Sequence, residues 1–224
     1  MKTRELEVTT NGAISLAIHN GNRPWWWYLE IEGQPLYLIG NDCDTCPAIF
    51  RRVDQARLPL TPQQLSAQLE AGLNSISQEV MDTVAALLPK GRYAVQLLTV
   101  KPTLLTQEKT PGRVSCEADY FWSCPVQKHE EHNDEIILPI VPSADLNAER
   151  IASYKARLER GEKPTALAFS ILDKRTPGGR YVENILAHFL LDGHHKVMAA
   201  SQLSQPVSIL SFMYLTNNQR IKRY

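Results

Sequence analysis

The chain has 224 residues, which is enough to bury a hydrophobic core and to form one large domain or two small ones. Its 24 Lys and Arg residues balance 24 Asp and Glu residues, and this zero net charge disfavours a general nucleic-acid coat, without excluding a local basic patch. The charged start has no apolar secretory segment and no apolar run reaches bilayer length, so we expect a soluble, cytoplasmic protein with no membrane partner.

The first part of the chain, residues 1–105, is predicted to form an α+β unit. Alternating apolar residues predict two strands around the turn signal Asn11-Gly12, and a second hairpin closes through residues 32–34. Thr61-Pro62 is typical of a helix start, and the helical spacing that follows is interrupted by Gly72. The predicted strands are residues 6–8, 13–18, 25–31, 35–39 and 93–100, and the helical region is 61–89.

Three consecutive tryptophans, Trp25 to Trp27, stand in the third of these strands. Side chains alternate between the two faces of a strand, so the triplet places at most part of its surface in a core. Packing between domains is the favoured interpretation, and stacking on a base or on a protein partner is the alternative.

Residues 106–135 are polar and irregular and are predicted to connect two halves of the protein. The segment includes the charged run 128–135, which contains two histidines. A solvated loop is the favoured interpretation of that run, and a metal cluster is the alternative. A connector of this length is unusual in a compact protein unless something holds it in place.

The four cysteines offer one way to hold the connector. Cys43 and Cys46 form a C-x-x-C motif, and Cys116 and Cys124 lie in the connector. Two such pairs can supply the four ligands of a structural Zn²⁺, with a connector histidine as a substitute. A disulfide or redox pair and simply buried thiols are the alternatives.

The most informative segment is Asp192-Gly193-His194-His195-Lys196. An apolar run of strand length, 184–191, precedes it, and a helix-forming stretch, 197–203, follows it before a second apolar run at 207–215. Gly193 permits positive φ or a close approach to a ligand. The free N–H groups and the dipole of the first helical turn favour a phosphate. The alternative is a surface turn with helix-capping residues.

A second turn is predicted at residues 175–180, where Gly178-Gly179 separates two strands. It is a weak signal for a phosphate loop by itself. It can still bring Arg175 or Arg180 to a ligand at the helix start, and we include both among the predicted nucleotide-binding residues.

The segment at 192–196 and the elements before it resemble the ParB/sulfiredoxin-like superfamily. Residues 138–142 are similar to the first strand of that family, 149–161 to its helix closed by Gly161, and 164–173 to the strand entered through Pro164. The likeness covers roughly the last 90 residues. It implies a mixed-sheet α/β domain over residues 136–224, after the α+β unit and the connector.

The residues of the motif distinguish the members of the superfamily. Sulfiredoxins have a reactive cysteine at the position of His194, and partition proteins have Glu-Arg-Arg at the positions of His194, His195 and Lys196. The free-serine kinase type has Asp-Gly-His-His-Arg, so only Lys196 differs from it here. Lysine keeps the charge but lacks the bidentate fork of arginine. The resemblance therefore implies ATP, ADP or CTP with Mg²⁺ as cofactors.

Two functions follow from this resemblance. In the first, a phosphotransferase or nucleotide hydrolase, Gly193 and Lys196 hold phosphates, His194 and His195 contact the transferring group, and Asp192 positions Mg²⁺ or accepts a proton. In the second, the protein is a non-catalytic module in which a bound nucleotide switches contact with a protein or DNA partner. The zero net charge makes DNA the less favoured partner.

Overall fold

The structure is a computed structural model that describes residues 3–18, 26–43, 45–53, 60, 62–106, 114–124, 133–179 and 182–215. These residues form two β-sheets and four α-helices. The strands are β1 (Thr3–Val8), β2 (Ile14–Ile18), β3 (Trp27–Ile31), β4 (Gln34–Gly40), β5 (Ala48–Arg52), β6 (Gly91–Val100), β7 (Thr103–Leu105), β8 (Val114–Glu117), β9 (Phe121–Cys124), β10 (Asn133–Pro139), β11 (Thr165–Arg175), β12 (Glu183–Asp192) and β13 (Val207–Leu215). The helices are α1 (Gln63–Ala71), α2 (Gln78–Ala85), α3 (Ala148–Glu159) and α4 (His194–Gln202).

Both sheets are mixed. The large sheet has the strand order β1-β6-β13-β11-β12-β10-β9-β7, in which β11 runs parallel to β13 and β10 runs parallel to β12. The small sheet has the order β2-β3-β4-β5-β8, with β5 and β8 parallel. The sequence prediction of mixed α and β structure is confirmed at this level.

The central strands of the large sheet contain continuous apolar runs. Because successive side chains of a strand point to opposite faces, both faces of the sheet are covered by apolar side chains. Phe169 and Phe189 face one core, which they share with the small sheet, α1 and α2. Ala168 and Leu190 face the other core, beneath α3 and α4. The β12–α4 turn therefore stands at the edge of the second, helix-covered face.

The hairpin predicted through residues 32–34 is confirmed. β3 and β4 pair antiparallel, and the turn residues Glu32 and Gly33 have φ values of 51° and 76°. Two successive positive φ values suit the right-handed twist of the flanking strands.

The other predicted hairpin, around Asn11-Gly12, is wrong. β1 pairs with β6 and β2 pairs with β3, so the two strands belong to different sheets. The segment passes beside the end of the helical region instead: the N–H of Gly12 donates to Leu88 O, and Asn11 Oδ1 accepts from the N–H of Lys90. Asn11 and Gly12 therefore form their hydrogen bonds with main-chain groups of residues 88 and 90, and not across a local hairpin.

The helical region divides as predicted into α1 and α2. Gly72, with φ 90°, follows α1, and Ser77 caps α2 by accepting from the N–H of Val80. Thr61, the predicted N-cap of the first helix, lies outside the described residues.

The connector prediction needs correction where it is described. Residues 114–117 form β8 of the small sheet, with alternating burial, and 121–124 form β9 of the large sheet, with three of its four residues buried. Strand β10 begins at Asn133, inside the same predicted range. Strands of only four residues are too short to show a clear periodicity and are easily mistaken for loop in a sequence.

The three predicted ranges 1–105, 106–135 and 136–224 do not coincide with the division into sheets. Strands β1 and β6, from the first range, are hydrogen-bonded into the large sheet through the pairing of β6 with β13. Independent folding of the ranges stays a prediction.

Candidate functional site

The segment 192–196 lies where β12 meets α4, as predicted. β12 ends at Asp192, and Gly193 has φ 95° and ψ 20° before α4 begins at His194. A Cβ atom on Gly193 would lie 2.7 Å from the Cβ of Ala166 on β11. Glycine is therefore required here both by the left-handed backbone and by the close packing of strand against turn.

The start of α4 presents main-chain donors. The first helical hydrogen bond runs from the N–H of Val197 to Gly193 O, so the N–H groups of residues 194–196 have no acceptor inside the helix. In the described part of the chain no side chain caps this helix and its first turn has no acidic residue, whereas Asn147 caps α3. These donors and the helix dipole complement an anion.

Lys196 points into the fold. Its side chain is 2% exposed, and its Nζ donates to Thr165 O and to Asp192 Oδ2, each at 3.0 Å. Nζ also lies 3.9 Å from Glu70 Oε1. Asp192 and Glu70 compensate the charge of this buried ammonium. A buried charge without such a partner would be strongly destabilising. In this arrangement Lys196 forms a buried ion pair and does not face the start of α4, so its predicted role as a phosphate ligand has no support from its position.

His194 is also buried. Its Nε2 accepts from the N–H of Ile140 at 3.1 Å and from that of Val141 at 3.3 Å. An acceptor nitrogen requires the neutral ring, and burial lowers the pKa of His194 to about 3. His194 therefore fixes the chain that leaves β10, and its predicted contact with a transferring phosphoryl group does not agree with this arrangement.

His195 is the more accessible of the two histidines. Its half-buried ring accepts at Nε2 from the N–H of Asn147 at 3.0 Å. Burial lowers the pKa of His195, and the charge of Arg150 lowers it further. Arg150 is exposed on the first turn of α3. Asn147, whose N–H donates to His195, also accepts from the N–H of Arg150, so a cation that no sequence motif indicated lies one turn from the His195 contact.

Glu70 of α1 is the second carboxylate near Lys196, and it connects the lysine to α3. Glu70 of α1 accepts from the hydroxyl of Tyr154 and, at 2.6 Å, from Arg157 Nη1. Burial raises the pKa of Glu70, but Tyr154 and the charges of Lys196 and Arg157 outweigh this effect and lower it overall. Burial and the bond to Glu70 raise the pKa of Tyr154. With Asp192, these residues tie α1, α3 and α4 together.

The two arginines predicted near the phosphate are not brought to it by the described structure. Arg175 lies opposite Glu183 in the strand register, at the far end of β11. Leu167, which lies opposite Asp192, is eight residues away along the same strand. That separation is roughly 26 Å along the strand. Arg175 donates instead to Asp173 and Gly40 O, and its Nη1 is buried without a hydrogen-bond partner in the described region. Arg180 lies outside the described residues.

The four cysteines do not form the predicted zinc site. Cys43 and Cys46 are joined as a disulfide, one of the alternatives that the motif left open. Cys116 and Cys124 are buried thiols, and burial raises the pKa of Cys116 to about 12. Among the described residues no three His, Cys, Asp or Glu side chains stand close enough to hold a metal ion. The connector histidines fall outside those residues.

A buried polar row that the sequence did not reveal crosses the helix-covered face. His188 Nδ1 is 2.7 Å from Ser170 Oγ, and its Nε2 is 3.0 Å from Glu135 Oε1. Ser170 Oγ is in turn 2.8 Å from Ser211 Oγ. Because Ser170 and His188 are fully buried, no substrate reaches them in this conformation, and the row satisfies polar groups between adjacent strands. Its trace in the sequence is a polar residue, Ser170, His188 or Ser211, in the middle of each of three largely apolar strands.

Comparison of the chain with protein-family models, with curated proteins and with solved structures found no match. Membership of the ParB/sulfiredoxin-like superfamily therefore stays a prediction from the motif and the order of its neighbours. Within the described ranges, none of the helices has the length and apolar character needed to cross a bilayer.

Proposed function

We propose that the protein binds a nucleotide, with its phosphates at the start of α4, and acts as a nucleotide-responsive binding module. The observation that supports this most is the uncapped helix start behind Gly193, where three main-chain N–H groups and the dipole converge. The resemblance of residues 192–196 to the ParB/sulfiredoxin-like superfamily supports the choice of ATP, ADP or CTP as the ligand.

In this proposal the side chains have different roles from those predicted from the sequence. Arg150 supplies the cation that faces the phosphate from α3, and His195 borders it from α4. His194 and Lys196 hold the surrounding loops and the end of β12 in place. A phosphate carries about two negative charges at neutral pH, so an arginine beside the helix start is a suitable complement.

A binding module is favoured over an enzyme because the groups proposed for chemistry are already engaged. Asp192 is held by Lys196, and His194 uses its acceptor nitrogen on main-chain N–H groups. A general base needs a free acceptor within reach of the substrate proton. The proposed readout is a nucleotide-dependent contact with a protein partner, since zero net charge disfavours DNA.

Phosphoryl transfer or nucleotide hydrolysis is the second candidate. Its supporting observation is that Asp192, whose side chain is 25% exposed, stands directly beside the proposed phosphate site. Asp192 would be the residue that holds Mg²⁺, which typically takes one or two carboxylates together with phosphate oxygens. A bound Mg²⁺ would supply charge neutralisation to the phosphates.

Isothermal titration of the full chain with ATP, ADP and CTP, with and without MgCl₂, tests the proposal. We expect saturable one-to-one binding. Arg150→Ala should weaken it by about 10- to 150-fold, which corresponds to the 1.5–3 kcal/mol of a charge-assisted hydrogen bond. Lys155→Ala removes a cation from another side of the same helix and is the matched control, with affinity within about twofold of the native protein.

The same titrations, together with a phosphate-release assay, can contradict the proposal and can distinguish the binding module from the enzyme. Absence of nucleotide binding, or equal losses in Arg150→Ala and Lys155→Ala, would contradict a site at the α4 start. Release of inorganic phosphate from the bound nucleotide, abolished by Asp192→Asn, would favour the enzyme. Binding without such release would favour the module.

A further inference from the structure

A second concave site lies between the two sheets. It has a volume of about 320 Å³ and is lined from the small sheet by Leu16, Trp27 and Ile39. From the large sheet it is lined by residues 171–174 of β11 and by Tyr214 of β13. Asp173 lies six residues from Leu167, or roughly 20 Å along β11 from the strand position beside Asp192. The site is therefore separate from the proposed phosphate site.

The walls of this pocket are apolar and partly aromatic. Trp27 is 40% exposed, so its indole is an accessible wall of the pocket. The Tyr214 ring is held by an edge contact with Tyr93, with centroids 5.4 Å apart. A fixed aromatic ring on one sheet and an exposed indole on the other form walls to which a flat ligand adapts better than a branched one.

One carboxylate belongs to the pocket. Ile171 packs against the core shared by the sheets, and Asp173, two residues further along the strand, lies on the same face. Arg175 contacts Asp173 through Oδ2, with Nε at 2.7 Å and Nη2 at 2.6 Å. Oδ1 is not used by Arg175. The pocket therefore combines apolar walls with one carboxylate acceptor, Asp173, and one lysine, Lys174, among its lining residues.

We propose that this pocket binds a planar heteroaromatic amine. The volume is at the lower end of the range for small-molecule sites, which suits a bicyclic ligand. Stacking against the aromatic walls selects a flat apolar body, and Asp173 Oδ1 selects an N–H donor or a cation on its edge. The proposal does not depend on nucleotide binding at α4.

The probe is 2-aminobenzimidazole, a flat bicycle with adjacent N–H donors, and benzothiazole is the matching bicycle without them. Both are titrated into the full ¹⁵N-labelled chain, and the indole N–H signal of Trp27 is followed by NMR. We expect saturable binding of 2-aminobenzimidazole that moves this signal. Asp173→Asn should weaken that binding about tenfold and leave the affinity for benzothiazole unchanged.

Matched substitutions localise the site. Trp27→Ala removes a wall and should weaken the binding of both probes by tenfold or more. Leu104→Ala removes an apolar side chain of similar exposure, 39%, on β7, and should leave binding unchanged. Ile171→Phe puts a larger side chain into the pocket without removing the Asp173–Arg175 pair, and the folded variant should bind both probes at least tenfold more weakly.

No saturable binding to the native chain, or equal effects of Trp27→Ala and Leu104→Ala, would overturn the pocket. An unchanged affinity for 2-aminobenzimidazole in folded Asp173→Asn would overturn the proposed ligand class. Unweakened binding in folded Ile171→Phe would place the ligand elsewhere.

Discussion

Acid should destabilise the protein through His194. The neutral ring accepts two main-chain hydrogen bonds at Nε2, and protonation of that nitrogen breaks both. Burial lowers the pKa of His194 to about 3 in the folded state, compared with about 6.5 in an unfolded chain. Below pH 6.5 the unfolded state therefore binds a proton that the folded state does not bind.

The sign and size of the effect follow from proton linkage. Because the unfolded state binds more protons between pH 6.5 and pH 3, the free energy of unfolding decreases as the pH falls through this window. The slope approaches about 1.4 kcal/mol per pH unit, and the loss attributable to His194 reaches about 2 kcal/mol at pH 5. At pH 7.5 and above the ring is almost entirely neutral in both states and contributes little pH dependence.

Urea unfolding of the native chain and of His194→Gln, at pH 7.5 and at pH 5, measures this contribution. Glutamine retains an acceptor but does not titrate, so the variant should lose about 2 kcal/mol less than the native chain over the interval. His195→Gln is the matched control and should show a smaller difference, because the His195 ring is only half-buried. Equal losses in the native chain and His194→Gln would refute this account of His194.

Three further outcomes are expected. Lys196→Met leaves a carboxylate partner uncompensated and should lower the free energy of unfolding in urea by about 3–5 kcal/mol, unlike an exposed lysine substitution. Gly193→Ala forces a side chain into a left-handed backbone and against Ala166, and should cost at least about 1–3 kcal/mol in thermal unfolding. Cys116 and Cys124, buried with raised pKa values, should resist a thiol reagent until the chain unfolds, and rapid modification of the folded chain would contradict their placement.

Local features of the fold were predictable from sequence because their causes are local. The change from strand to helix periodicity around Gly193 located the β12–α4 turn, and the turn residues 32–34 located the β3–β4 hairpin. The Asn11-Gly12 signal failed because the choice of strand partner is not local: β1 pairs with β6, some ninety residues along the chain.

The β12–α4 turn that carries the candidate site was predictable in place, but the direction of its side chains was not. From the sequence, Lys196 is predicted to be an exposed cation at a helix start. In the structure its side chain is buried, because Glu70 of α1 and Asp192 compensate its charge. Glu70 is far away in sequence, so no motif indicates it. Arg150 was missed for the same reason, since α3 meets α4 only in the folded chain.

An NMR titration of the full ¹⁵N-labelled chain with ATP tests the central claim most directly. If the phosphates bind at the start of α4, the main-chain amide signals of His194, His195 and Lys196 should show the largest saturable shifts, because their N–H groups donate to the ligand. Saturable shifts centred elsewhere, with these three signals unmoved, would contradict the account.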